Sequence, residues 1–160
     1  MRVSNKNVSA QFVKPTVKGD LVLSSSHSKE LAKFGWLGSS KATPSCYLLG
    51  LLAGKKALAA GVKEAVVYNG LVPFIAGSRI AALLKGVVDA GVSVPAGEEA
   101  FPSEDRLTGK SIADYATKLA SEDKDTYNRS FSALLKSGFK PEGYPSAFAK
   151  AKAAVLEGNK

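Results

Sequence analysis

The run GSRIAALLKGVVDAG, residues 77–91, decides how the rest of the chain is read. Ile80, Leu83, Leu84, Val87 and Val88 recur at i, i+3, i+4, i+7 and i+8, the stripe of a helix with one buried face. Gly77, Ser78 and Arg79 stand at its start and Gly91 just past its end, so the spacing predicts a helix over 78–90. Unpaired first-turn N–H groups, a hydroxyl and a guanidinium meet there, a combination suited to a phosphate. The other reading is an ordinary capped helix with a solvated arginine.

On either side of this helix, EAVVY at 64–68 and residues 92–94 read as short apolar strands. Strand, helix, strand at this spacing is a parallel crossover unit. Upstream, TPSCYLLGLLAGKKALAAG at 43–61 predicts a helix with Thr43 as N-cap, Pro44 at the first helical position and Gly61 as its stop. Leu48, Leu51, Leu52 and Leu58 form its apolar face. Gly50 and Gly54 inside it cost about 1 kcal/mol each relative to alanine, so close approach to a neighbouring element is expected.

Residues 2–13 alternate, with Val8, Ala10 and Phe12 on one side and Asn5, Asn7, Ser9 and Gln11 on the other, the signature of a half-buried strand. Lys14 and Pro15 should break it; Lys18, Gly19 and Asp20 turn the chain into LVLSSS, the second strand of an antiparallel pair. Ser28 to Phe34 can form a short helix, followed by a loop that carries Trp36. Beyond Pro95 the pattern is polar and helical over 111–120, 124–137 and 145–157. The expected fold is α/β: a mixed sheet with an antiparallel strand pair and a parallel crossover unit, helices packed on it, and a C-terminal helical appendage. Residues 1–100 read as an α/β domain and 101–160 as a helical extension packed on it or on neighbours.

With 160 residues, 45% of them hydrophobic, the chain can bury one real core. No run approaches about 18 uncharged apolar residues, and no apolar signal core opens the chain, so a soluble, cytoplasmic protein without membrane contact is expected. Cys46 is the single cysteine and His27 the single histidine, which leaves no internal disulfide and no zinc set. The formal charge of +8 suits a polyanionic partner. Its excess lies in residues 1–60, with nine Lys and Arg against two Asp and Glu, spread out as on a folded basic surface.

Catalytic motifs fail on geometry. GLLAGKK at 50–56 has three residues between its glycines where a phosphate-binding loop needs four, and a lysine where that loop needs Ser or Thr. Gly109, Lys110 and Ser111 have the right ending, but Glu104 occupies the first-glycine position. One histidine leaves Ser or Cys nucleophiles without an evident base partner. Glu98, Glu99, Glu104 and Asp105 sit on a polar loop as solvated charges. An enzyme, a metal, a cofactor and a small-molecule substrate are therefore not expected.

The two helix runs, with SHSKELAKFGW at 26–36, PSEDRLTGKSIADYA at 102–116 and SEDKDTYNRSFSALLKSGFKPEGYPSAFAKAKAAV at 121–155, resemble the archaeal and eukaryotic branch of large-subunit ribosomal protein eighteen, whose eukaryotic members are numbered five. The resemblance implies an α/β domain of the ribosomal protein S11 type and a structural role on the ribosome, binding 5S rRNA and helping to anchor it in the central protuberance. It implies 5S rRNA, large-subunit rRNA and neighbouring proteins of the central protuberance as partners. The runner-up is a non-ribosomal RNA-binding or ribosome-assembly factor on the same scaffold.

Family RNA contacts carry over to Ser4, Asn5, Lys6 and Asn7 of the first strand segment, to His27, Ser28 and Trp36, and to Ser78 with Arg79. The charge pattern adds Arg2, Lys33, Lys41, Lys55 and Lys56. Trp36 could stack on a base or sugar, or equally plug the small core. The chain departs from the family twice. It starts almost inside the first strand, where relatives carry a basic segment, and its Val72 to Ala76 loop is apolar where theirs is basic, which points that loop at protein.

Overall fold

Strand β1 (Arg2–Val3) pairs antiparallel with β2 (Val8–Thr16), and β2 pairs antiparallel with β3 (Gly19–His27), in a computed structural model that describes residues 1–158. Val8 and Ala10 point into the core, as the alternation predicts. The strand does not break at Lys14 and Pro15: Pro15 pairs with Asp20 and Thr16 with Gly19 across a two-residue turn. Past Ser9 the second edge of β2 pairs with no strand among the described residues, so a residue without an N–H forfeits no ladder bond there. A bulge at Leu23 shifts the register, with Phe12 opposite Ser24 and Val13 opposite Val22.

A 3-10 helix (Ser28–Phe34) leads through the Trp36 loop to α1 (Thr43–Ala59). The N-cap of α1 is Ala42, one residue earlier than the sequence suggests; Thr43 lies inside the helix and caps nothing. At the other end Gly61, at φ +81°, lets its N–H reach Leu58 O (2.9 Å) and the Val62 N–H reach Ala57 O (2.9 Å). That pair of bonds is a Schellman stop.

Helix α1 is buried on almost every side, because β2, β3, α2 (Arg79–Asp89) and α7 (Tyr144–Glu157) all pack on it. Leu48, Leu49, Leu51 and Leu52 are each at most 2% exposed, burial that stabilises by about 1.5–3 kcal/mol per side chain. Leu58, expected on the apolar face, is 37% exposed and lies outside this core.

The glycines of α1 serve the close approach that their cost implies. A Cβ on Gly50 would stand 2.0 Å from Leu83 O, one on Gly86 2.2 Å from Tyr47 O, and one on Gly54 2.5 Å from Ala90 Cβ. Pairs that ascend together along both chains mean that α1 and α2 run in the same direction, with their N-termini at one end. Helix α2 itself matches its spacing, from the Ser78 cap to Asp89.

The crossover around α2 is present as a single parallel bridge, Glu64 to Ser93. The Ala65 N–H donates to Ser93 O (2.9 Å) and the Ser93 N–H to Lys63 O (2.9 Å), and there the pairing stops. Farther along, the Met1 ammonium donates to Tyr68 O (2.9 Å), and the side chains of Val66 and Tyr68 are exposed.

The C-terminal part folds as α3 (Glu104–Thr108), α4 (Lys110–Glu122), α5 (Lys124–Ser130), α6 (Ser132–Lys136) and α7. The expected helix over 124–137 is interrupted at Phe131, and α3 occupies a stretch read as a loop. Leu107, Phe139, Tyr144, Phe148, Ala151 and Val155 join the same core cluster as Val8, Leu48 and Leu83.

Candidate nucleic-acid interface

Residues 4–7 link β1 to β2 in a turn locked on itself. The Ser4 N–H donates to Asn7 O (2.8 Å), Ser4 Oγ also donates to Asn7 O (2.8 Å), and the Asn7 N–H returns to Ser4 Oγ (3.0 Å). Asn5 and Lys6 project from this turn fully into solvent, and Arg2 is exposed beside it on β1. Ser28 fastens the turn to the next element: its Oγ accepts the Val8 N–H (3.1 Å) and lies 3.5 Å from Asn7 Oδ1. Ser28 is buried, so its role within the chain is to position Asn7.

His27 caps the 3-10 helix. Its Nδ1 accepts the Lys29 N–H (3.2 Å), and its own N–H goes to Glu30 Oε1 (2.9 Å), the reciprocal arrangement of a capping box. The cap fixes the imidazole next to Ser28, which touches the turn, and Lys29 and Lys33 on the same helix are exposed. Lys29 was not singled out by sequence; only its neighbourhood in the His27 cap could have drawn attention to it.

Lys55 and Lys56 are engaged inside the chain. Lys56 Nζ meets Glu30 Oε2 at 2.5 Å and Ser25 O at 3.2 Å. Lys55 Nζ donates to Val155 O (3.2 Å) and Leu156 O, satisfying carbonyls at the end of α7. Partial burial alone raises the Glu30 carboxyl, but the Lys56 ammonium and the His27 N–H outweigh it and hold the group below its ordinary value of 4.5. The stability that Glu30 contributes is thus present above that value and is lost as pH falls through the depressed one. In melts from about pH 6 to about pH 3, Glu30→Gln should therefore show a flatter acid limb than the parent protein; parallel curves would remove Glu30 from this linkage.

A second cluster forms where the paired N-termini of α1 and α2 lie together. Ser78 Oγ accepts the Ala81 N–H (3.4 Å), and the N–H groups of Arg79 and Ile80 have no intrahelical acceptor. Arg79 is exposed, and Lys41 approaches from the loop before α1. Arg106, which the sequence reading did not single out, brings its Nη1 to within 3.6 Å of a Cβ built on Gly77, so it belongs to this cluster. Cys46 lies near Arg79, yet burial dominates and pushes its thiol up to about 12. At about pH 8 iodoacetamide should leave the native thiol unmodified and alkylate it in denaturant; rapid native labelling would contradict the packing.

The two clusters do not merge. From Cys46 to Lys56 along α1 is about 15 Å at 1.5 Å per residue, so a ligand touching both must be extended. Trp36 belongs to neither: it is 4% exposed, donates from Nε1 to Ser45 Oγ (2.9 Å) and meets the Tyr144 ring edge-on at 5.7 Å. Its indole faces protein on all sides. Among the described residues no group of three or more His, Cys, Asp or Glu could hold a metal, and no helix is long and apolar enough to cross a membrane.

Two comparisons with known proteins bear on this surface. The family model described as ribosomal large subunit proteins 60S L5 and 50S L18 matches residues 1–73. The large ribosomal subunit protein uL18 of Thermofilum pendens (strain DSM 2475 / Hrk 5) is 42% identical over 157 residues, covering 98% of this chain and 80% of its own length.

Proposed function

Since the chain belongs to the uL18 family of large ribosomal subunit proteins, and so is a structural constituent of that subunit rather than an enzyme, we propose that it binds 5S rRNA and helps to anchor it in the central protuberance. The observation that carries this reading is the locked Ser4–Asn7 turn, which is tied through Ser28 to the His27 cap. It presents Asn5 and Lys6 without conformational freedom to spend on binding. Amide and hydroxyl groups fix register on a sugar–phosphate backbone, and the cations Arg2, Lys6 and Lys33 neutralise phosphates. Lys41, Ser78 and Arg79 take a phosphate farther along the same RNA. Residues 1–100 carry these contacts, and 101–160 form the extension that holds α1 and α7 together against large-subunit neighbours.

The test is a binding competition between 5S rRNA and an unstructured RNA of equal length. Preference for 5S rRNA is expected, and equal affinity overturns the proposal. Arg79→Ala should weaken 5S rRNA binding by about 1–3 kcal/mol while leaving the melting temperature nearly unchanged. A variant that loses folding stability but binds normally when folded makes Arg79 a structural residue.

A further inference from the structure

A hollow of about 520 Å³ opens on the C-terminal extension, between α4, α5 and the 3-10 turn Pro141–Gly143. That volume lies within the range of about 300–1,000 Å³ usual for small-ligand pockets. Lys124, Tyr127 and Asn128 line it from α5, where i, i+3 and i+4 share one face. Ala120 of α4, Lys140 and Glu142 complete it. None of the RNA contacts proposed above lies on this part of the chain.

The frame of the hollow is set before anything binds. Asp123 caps α5, its Oδ1 accepting the N–H groups of Asp125 (3.0 Å) and Thr126 (3.1 Å). Phe139 and Pro141 are buried on either side of Lys140. The Tyr127 ring packs on Phe131, with centroids 5.3 Å apart, and its hydroxyl donates to Glu142 Oε1 (2.9 Å). An aromatic wall and a carboxylate are thereby fixed together.

Two opposite demands stand side by side there. Lys124 and Lys140 are exposed, and neither is ion-paired among the described residues, so the rim calls for an anion. Glu142, which only accepts, calls for N–H donors and would repel an acidic peptide. The exposed Asn128 amide offers both a donor and an acceptor. A nucleotide meets both demands in one molecule. Guanine in particular carries two adjacent donors, N1–H and N2–H, beside the acceptor O6, and unstacked RNA bases are read by such edge contacts together with aromatic faces.

We propose that this hollow holds one unpaired guanine nucleotide of the large-subunit rRNA. The base lies against Tyr127, its N1–H and N2–H donate to the Glu142 carboxylate, O6 accepts from the Asn128 amide, and the flanking phosphates meet Lys124 and Lys140. This rests on the chain's place in the large subunit and not on its holding 5S rRNA, so either reading can fail without the other. A free guanine nucleotide has the same chemistry and is separated by experiment.

Kethoxal, which adds across N1 and N2 of unpaired guanines, tests the assignment on large subunits assembled with the parent chain or with variants, read by primer extension on each rRNA. In parent subunits one guanine is expected to react about tenfold more slowly than in Asn128→Ala or Glu142→Gln subunits, the effect of a site filled nine-tenths of the time. Glu142→Gln keeps an acceptor for the Tyr127 hydroxyl, and Asn128→Ala removes an exposed side chain, so both should melt with the parent protein. If no guanine responds to either variant, the proposal is overturned. It is equally overturned if millimolar guanosine monophosphate raises the melting temperature of the free protein, which makes a free nucleotide the occupant. Shielding of Lys124 and Lys140 from acetylation in subunits where no guanine responds would make the occupant a protein.

Discussion

Gly50→Ala is expected to destabilise the fold by about 3 kcal/mol, lowering the melting temperature by about 10 °C for a domain of this size. The added methyl would stand 2.0 Å from Leu83 O and 3.0 Å from Gly86 Cα, both backbone atoms, so no side-chain rotation can relieve it. Relief requires α1 and α2 to separate, which breaks the packing of Leu51, Leu83 and Val87 together. Gly86→Ala, 2.2 Å from Tyr47 O, should behave alike. Gly97→Ala is the control: its Cβ meets nothing within 4 Å, and its φ of −74° suits any residue. Thermal melts of the three variants decide the matter, and a Gly50→Ala melt equal to the control would mean the helices do not cross at these glycines.

The affinity for 5S rRNA is expected to fall by about two orders of magnitude between roughly 50 and 200 mM salt, a log–log slope near −4. The structure sets this slope through the number of free cations. Seven basic side chains suggest themselves from sequence, but Lys55 is held by carbonyls of α7 and Lys56 by Glu30. Arg2, Lys6, Lys33, Lys41 and Arg79 remain of those seven, and about 0.9 counterions are released per phosphate neutralised; Lys29 and Arg106, which stand in the two clusters, steepen the slope only where they meet phosphates of their own. All seven at work would give about −6, and a slope near zero would mean that phosphates contribute little. A titration series in salt distinguishes these results without any mutation. Lys55→Ala and Lys56→Ala should leave the slope unchanged while costing stability through the contacts they lose.

How much was legible follows from the range over which each signal acts. The stripe of α2, its Ser78 cap, the alternation of β2 and the Schellman glycine of α1 are set within a few residues, and the structure has them where the spacing puts them. The capping box of His27 and Glu30 is equally local, although the sequence reading named His27 only as an RNA contact and not as a cap. Pro15 stays in the strand because the edge it faces is empty, which depends on the length of β1. EAVVY has strand composition, but its pairing is confined to one parallel bridge from Glu64 to Ser93, so composition alone did not make it a strand.

The α/β class, the direction changes of the chain and the basic first third were legible in the residues alone, because periodicity, caps and charge are properties of neighbouring residues. Long-range packing set the rest: that Lys55 and Lys56 are engaged within the chain, that Trp36 belongs to the core and that Arg106 joins Arg79 beside Gly77. Each of these depends on which partner, distant in sequence, reaches a given N–H, carbonyl or ammonium first. Burial makes that choice, since a polar group removed from water must take whatever partner the packing brings within reach.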